Sequence, residues 1–224
     1  MTMLDLKNLA KTDPVKRNVE KGLEQVEHTP MEPPSAYDSL ATVNVPADQL
    51  HDVLKVFVDE HKKATEIIEQ FEQALLQYKT NGYKLDPKIN EYFKQFFDFF
   101  DNFLLPHNSK EEKALFPTLN ERLVEAGEHS STDSKFTAID VMEDDHVKFI
   151  QLGALTFNLL GLATRIQDFN ARIFVLDTAY ENGRELIELL RLHIFREDYT
   201  LFPLAQKYLK DDDFKLIEEK MARF

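Results

Sequence analysis

The chain contains no cysteine, no tryptophan and only six glycines among 224 residues. Without cysteine there can be no disulfide, thiolate zinc site, cysteine-ligated iron–sulfur cluster or cysteine nucleophile. Six glycines and nine prolines are too few to punctuate an all-β fold. No apolar run approaches the ~18 residues of a membrane span, and the opening stretch MTMLDLKNLAKTDPVKRN has no apolar core of signal-peptide length. A cytoplasmic location is therefore expected. Positive charge is also scarce, with 27 basic against 40 acidic residues and a formal net charge of −13. Such a surface repels phosphate backbones and anionic lipid, so neither nucleic acid nor a membrane is an expected partner. Most of the acid reads as solvated surface.

What the chain does have is helical. Hydrophobic residues make up 43% and charged residues 30%, and apolar positions recur at spacings of three and four. Residues 1–45 stand apart as a polar N-terminal extension closed by Pro33, Pro34 and Pro46, with a possible short helix over 14–27. Four long amphipathic segments follow, near 47–78, 87–125, 135–164 and 170–209. Short connections between long helices favour antiparallel neighbours. The expected fold is all-α, an up-down-up-down four-helix bundle over 46–210, followed by a short tail helix in 211–224.

The apolar stripe of the first segment runs through Leu54, Phe57, Val58, Ala64, Ile68, Phe71 and Leu75, and that of the third through Ile139, Met142, Phe149, Ile150, Phe157 and Leu160. Pro106, Pro117 and Pro203 lie inside segments that otherwise read as helix. Each predicts a kink or restart, because proline lacks an N–H and clashes with the preceding turn.

One histidine in each segment lies on the apolar stripe: His61, His107, His146 and His193. A residue on such a stripe points into the bundle. Two have a glutamate four residues on, Glu111 after His107 and Glu197 after His193, and residues four apart share a helix face. One such pair is weak, because acids are common here. The longer pattern is stronger: His107, Glu111, Leu115, Phe116 and Pro117 recur as His193, Glu197, Leu201, Phe202 and Pro203, 86 residues later. His61 and His146 follow the same repeat at 85.

Two copies of one hairpin would thus bring four imidazoles and two carboxylates together. An inward carboxylate is costly unless paired or bound to a metal. That is a dinuclear donor set, with two histidines per metal and both glutamates bridging. Imidazole suits iron, zinc, copper and nickel, and carboxylate bridging inside a bundle favours iron. Glu112 and Asp198 follow the two glutamates by one residue, turn about 100° away, and read as solvated. The Leu-Phe-Pro repeats read as helix ends packed on the core. Glu143 reads as a surface acid and Tyr180 and Tyr199 as packing residues; His28, His51 and His129 lie outside the repeat.

The double pattern resembles the hemerythrin-like, HHE cation-binding family over about residues 50–205. That resemblance implies His61, His107, Glu111, His146, His193 and Glu197 as ligands of two non-haem irons with an oxo or hydroxo bridge. It departs from oxygen-carrying hemerythrins, which carry two histidines four apart on the third helix, where this chain has Met142 and Ile150. The four-histidine, two-glutamate set is more similar to bacterial repair-of-iron-centres proteins and to the hemerythrin-like iron-sensing domain. The former usually carry an N-terminal cysteine, absent here, and the latter an extra glutamate where this chain has Asn108. The expectation is a di-iron protein that binds or senses O2, NO, peroxide or iron itself. The alternative is a di-iron enzyme acting on NO or peroxide, or delivering iron for iron–sulfur repair.

Overall fold

The computed structural model describes residues 45–130 and 133–224, and these form helices and connections with no strand. The possible helix at 14–27, His28, and Pro33 and Pro34 lie outside the described residues. After a short 3-10 turn at Ala47–Gln49, α1 spans Asp52–Thr80 and α2 spans Pro87–Phe99. The second chain segment continues through α3, Leu105–Lys110, and α4, Phe116–Ala126. Then come α5, Ala138–Ala163, and α6, Phe169–Arg196. Finally α7 spans Phe202–Tyr208 and α8 spans Asp211–Met221.

Local chemistry sets these boundaries. Asp86 and Asp168 accept backbone N–H groups at the starts of α2 and α6, and Thr137 with Asp140 forms a capping box at the start of α5. Gly127 ends α4 in the left-handed conformation, at φ 76°, where a side chain would be strained.

The internal prolines act differently from a simple break. Each is preceded by one widened π-turn: Phe100–Leu104 before Pro106, Glu111–Leu115 before Pro117, and Glu197–Leu201 before Pro203. In each, an N–H reaches the carbonyl five residues back, as from Phe116 to Glu111 and from Phe202 to Glu197. The wider turn gives the ring room and lets the chain continue as helix. The Leu-Phe-Pro repeats are therefore not helix ends, as the sequence suggested. Helix resumes through them.

The core falls into two apolar clusters. One joins Leu54, Phe57, Leu115, Phe116, Met142, Leu201 and Phe202 at one end, with Phe214 and Ile217 of α8 closing it. The other joins Ile68, Phe71, Phe93, Phe96, Phe149, Leu186 and Leu190. The four histidines and two glutamates of the repeat lie between these clusters in sequence on every segment, and all six are buried. The inward stripe of the first segment is as expected. On α5, however, Ile150 and Phe157 face outwards, 45% and 57% exposed. Their positions on the helix turn them past the buried edge marked by Met142, Phe149 and Gly153.

Candidate metal centre

α1 supplies His61, α3 supplies His107, α5 supplies His146 and α6 supplies His193. Glu111 and Glu197 open the two π-turns that follow α3 and α6. The structure brings all six sequence-predicted residues together. His61, His107, Glu111 and Glu197 form one four-donor group, and Glu111, His146, His193 and Glu197 form another. Within each group the donor atoms all lie within 4.8 Å of one another. Both groups use both glutamates.

The contacts are alternating. Glu197 Oε2 lies 3.1 Å from His61 Nε2 and 3.3 Å from His193 Nε2. Glu111 reaches His107 Nε2 at 3.2 Å through Oε1 and His146 Nε2 at 3.4 Å through Oε2. Each glutamate therefore touches one histidine of its own half and one of the other. Both glutamates are fully buried, and none of their four oxygens has a hydrogen-bond partner. Carboxylates so placed call for positive charge. Metal bonds of ~2.0–2.2 Å hold neighbouring donors about 3 Å apart, so the spacing fits a cation among these atoms.

Behind the imidazoles stands a ring of four further acids. His61 Nδ1 meets Asp198 Oδ1 at 2.8 Å, His107 Nδ1 meets Glu60 Oε2 at 2.7 Å, and His146 Nδ1 meets Glu112 Oε1 at 2.8 Å. His193 Nδ1 lies 3.6 Å from Asp145 Oδ2, an ion-pair distance too long for a hydrogen bond. An acid accepting the Nδ1–H turns the Nε2 lone pair towards the centre and raises its basicity. Lys110 also pairs with Glu60, and Arg196 Nη1 binds Asp145 at 2.8 Å.

Glu112 and Asp198 are thus not the solvated acids the sequence suggested. They reach across to the first histidine of the opposite half. Glu60 and Asp145 were missed altogether, although each directly precedes a repeat histidine. The signal was an acid before His61 and His146 and after Glu111 and Glu197, matched in both halves. Glu143 is exposed, as expected.

Electrostatics bind the cluster in the absence of an ion. Burial pushes His61 down, but Asp198 and Glu197 outweigh it and raise the group to about 10. His107 rises to about 9 against burial, through Glu111 and Glu60. His193 also rises to about 9 against burial, through Glu197 and Asp145. Burial pushes Glu197 up, yet His193 and His61 hold it well below the ordinary carboxylate range. The raised affinity of His61, His107 and His193 for protons is the counterpart of the lowered one of Glu197.

Aromatic rings wall the centre. Phe202 stacks on His61 at 5.6 Å between centroids and Phe116 on His146 at 5.7 Å. These are the phenylalanines of the two Leu-Phe-Pro motifs, so the motif keeps water from the opposite half's histidine. The two sides also differ three residues beyond the first histidine of each half. Three residues after His61 stands Ala64, whereas three after His146 stands Phe149, packed edge-on against His193 at 4.9 Å. A cavity of about 10 Å³ lies on the Ala64 side, roughly the room of one water. It is lined by His61, His107 and His193, by apolar side chains including Phe99 and Phe103, and by Asn108. Asn108 is buried, and neither atom of its amide has a partner.

The family model of the hemerythrin HHE cation binding domain matches residues 52–205. The chain belongs to the hemerythrin HHE cation-binding family. The match takes in every residue of the buried cluster and all four acids behind it. No curated protein and no solved structure matches this member of the hemerythrin family. None of its described helices is long and apolar enough to cross a membrane.

Proposed function

We propose that His61, His107, Glu111, His146, His193 and Glu197 hold two non-haem iron ions, with both glutamates bridging, and that the pair binds or senses a small oxygen or nitrogen ligand. The observation that carries this reading is the sharing of Glu111 and Glu197 between the two donor groups, with all four oxygens otherwise without a hydrogen-bond partner. The mixed imidazole and carboxylate donors favour iron. The architecture proposed around them is an up-down-up-down four-helix bundle made of two matching His…His-xxx-Glu hairpins, in a cytoplasmic protein.

Bound iron would supply redox chemistry and an open position for an exogenous ligand. The chain's own residues do the rest. Glu60, Asp198, Glu112 and Asp145 hold the imidazoles in place. Phe116 and Phe202 exclude water. The cavity beside Ala64 has about the room of one water, so it limits an incoming ligand to a few atoms. The Asn108 amide, free to donate there, orients what enters. A pocket so small, with most of its wall apolar, supports binding or sensing of O2, NO or peroxide over turnover, and iron itself remains a ligand that occupancy could report. The enzymatic alternative, NO or peroxide conversion or iron delivery, would show as steady turnover.

Metal analysis of protein purified without added metal tests the proposal, with an optical spectrum of the same sample. About two irons per chain and near-ultraviolet bands of an oxo-bridged ferric pair are expected. Little iron, or one tightly held zinc, would sink it.

A further inference from the structure

Most of α5 is apolar on its outer side as well as its inner one. From Phe149 to Thr164 it carries no charged residue, in a chain that is 30% charged. A helix apolar all round belongs in an interior, yet this one has an exposed face. Val147, Ile150, Ala154, Phe157 and Gly161 are all exposed, and their spacings alternate three, four, three, four. That is the seam of two paired helices, and it runs from Val147 to Gly161 on the side where Phe157 touches Phe97.

The seam is complementary to its own reverse. Placed antiparallel against a copy of itself with Ala154 at the centre, Val147 falls opposite Gly161, and Ile150 beside Phe157. Large residues meet small ones at the ends and the smallest contact lies at the middle. The charges at the two ends also match. Glu143 and Arg165 stand eleven residues on either side of Ala154, so each Glu143 comes level with the other copy's Arg165. Among the described residues neither has an ion-pair partner within its own chain, and Glu143's charged neighbours include Glu112, Asp140 and Asp144. A twofold axis satisfies all of these at once, as an isologous contact requires.

We propose that the chain pairs with a second copy of itself along α5, antiparallel, with the twofold axis at Ala154 and the Glu143–Arg165 pairs closing both ends.

Sedimentation or light scattering of the full-length chain at micromolar concentration tests this. The expected mass is twice the 26.1 kDa of one chain. Ala154→Glu sets two carboxylates against each other at the axis and should give monomer with an unchanged helical circular dichroism spectrum. Glu143→Lys and Arg165→Glu should each weaken the dimer about tenfold, and the two together should restore it. Because the chain has no cysteine, Ala154→Cys should crosslink across the axis on mild oxidation, whereas Glu66→Cys on α1 should not. A monomeric wild type overturns the proposal, whether the α5 face is then bare or covered by residues 1–44. A dimer untouched by Ala154→Glu overturns it equally, because the contact then lies elsewhere.

Discussion

Glu111 and Glu112 are neighbours in sequence with opposite duties. Glu111 is wholly buried and faces His107 and His146, while Glu112 is 40% exposed and holds the back of His146. Glu197 and Asp198 divide the same way around His193 and His61. Glu111→Ala or Glu197→Ala should therefore abolish the proposed metal pair. Glu112→Gln or Asp198→Asn should lower metal affinity by roughly 10–100-fold and leave the stoichiometry intact. Iron content, followed by chelator competition, separates the two outcomes, and equal losses would refute the bridging assignment. Asn108 and Ala64 act on the ligand instead. Asn108→Leu removes one hydrogen bond, worth about tenfold in affinity for NO or peroxide. Ala64→Leu fills the cavity and should block the ligand while iron stays bound. Titration of the iron-loaded protein with NO, read optically, checks both.

Among the elements, the π-turns and glycines bring the donors to one level. A π-turn adds one residue to a helical turn. It lets Glu197 face the centre above Pro203 while Leu201, Phe202 and Ala205 face the core below it. Gly153 lets the turn at Phe100 lie against α5, since a Cβ there would stand 2.5 Å from Phe100 Cζ. Gly153→Ala should overpack this contact and cost about 1–3 kcal/mol, measurable as a lower urea midpoint with an unchanged slope. A neutral result would mean that Phe100 has room to retreat. At the other end, α8 is clamped by Arg122, which donates to both oxygens of Asp213 at 2.8 and 3.0 Å. The tail helix read from sequence is thereby a structural lid on the first cluster.

In the molecule as a whole, the polar cluster sits where a core would otherwise be continuous. Two buried carboxylates need positive charge, which the neighbouring imidazoles can carry as protons and which the proposed metal would supply on binding. Metal should therefore tie folding to occupancy. A cation at a thousandfold excess over its Kd adds about 4.1 kcal/mol to stability, so chelation should lower Tm by roughly 10 °C. Calorimetry with and without chelator reads this directly, and an unchanged Tm would mean that the six residues compensate one another without a cation.

Sequence alone determined the helical class, the inward direction of His61, His107, His146 and His193, and the pairing of Glu111 and Glu197 with them. Helical periodicity and an 86-residue repeat are one-dimensional signals, and both survive without knowledge of neighbours. The four acids behind the imidazoles could not be assigned that way. Asp145 is buried beside Met142 and Phe149 while Glu60, Glu112 and Asp198 are only partly covered, and the role of all four depends on which helix packs beside them. The outward turn of Ile150 and Phe157 likewise depends on how wide a face α5 buries. The π-turns before Pro106, Pro117 and Pro203 resolve a local conflict that sequence could only mark as a kink. Where the cavity beside the centre lies was a tertiary matter too. Ala64 and Phe149 are both ordinary core residues until the packed helices set one beside a cavity and the other against His193.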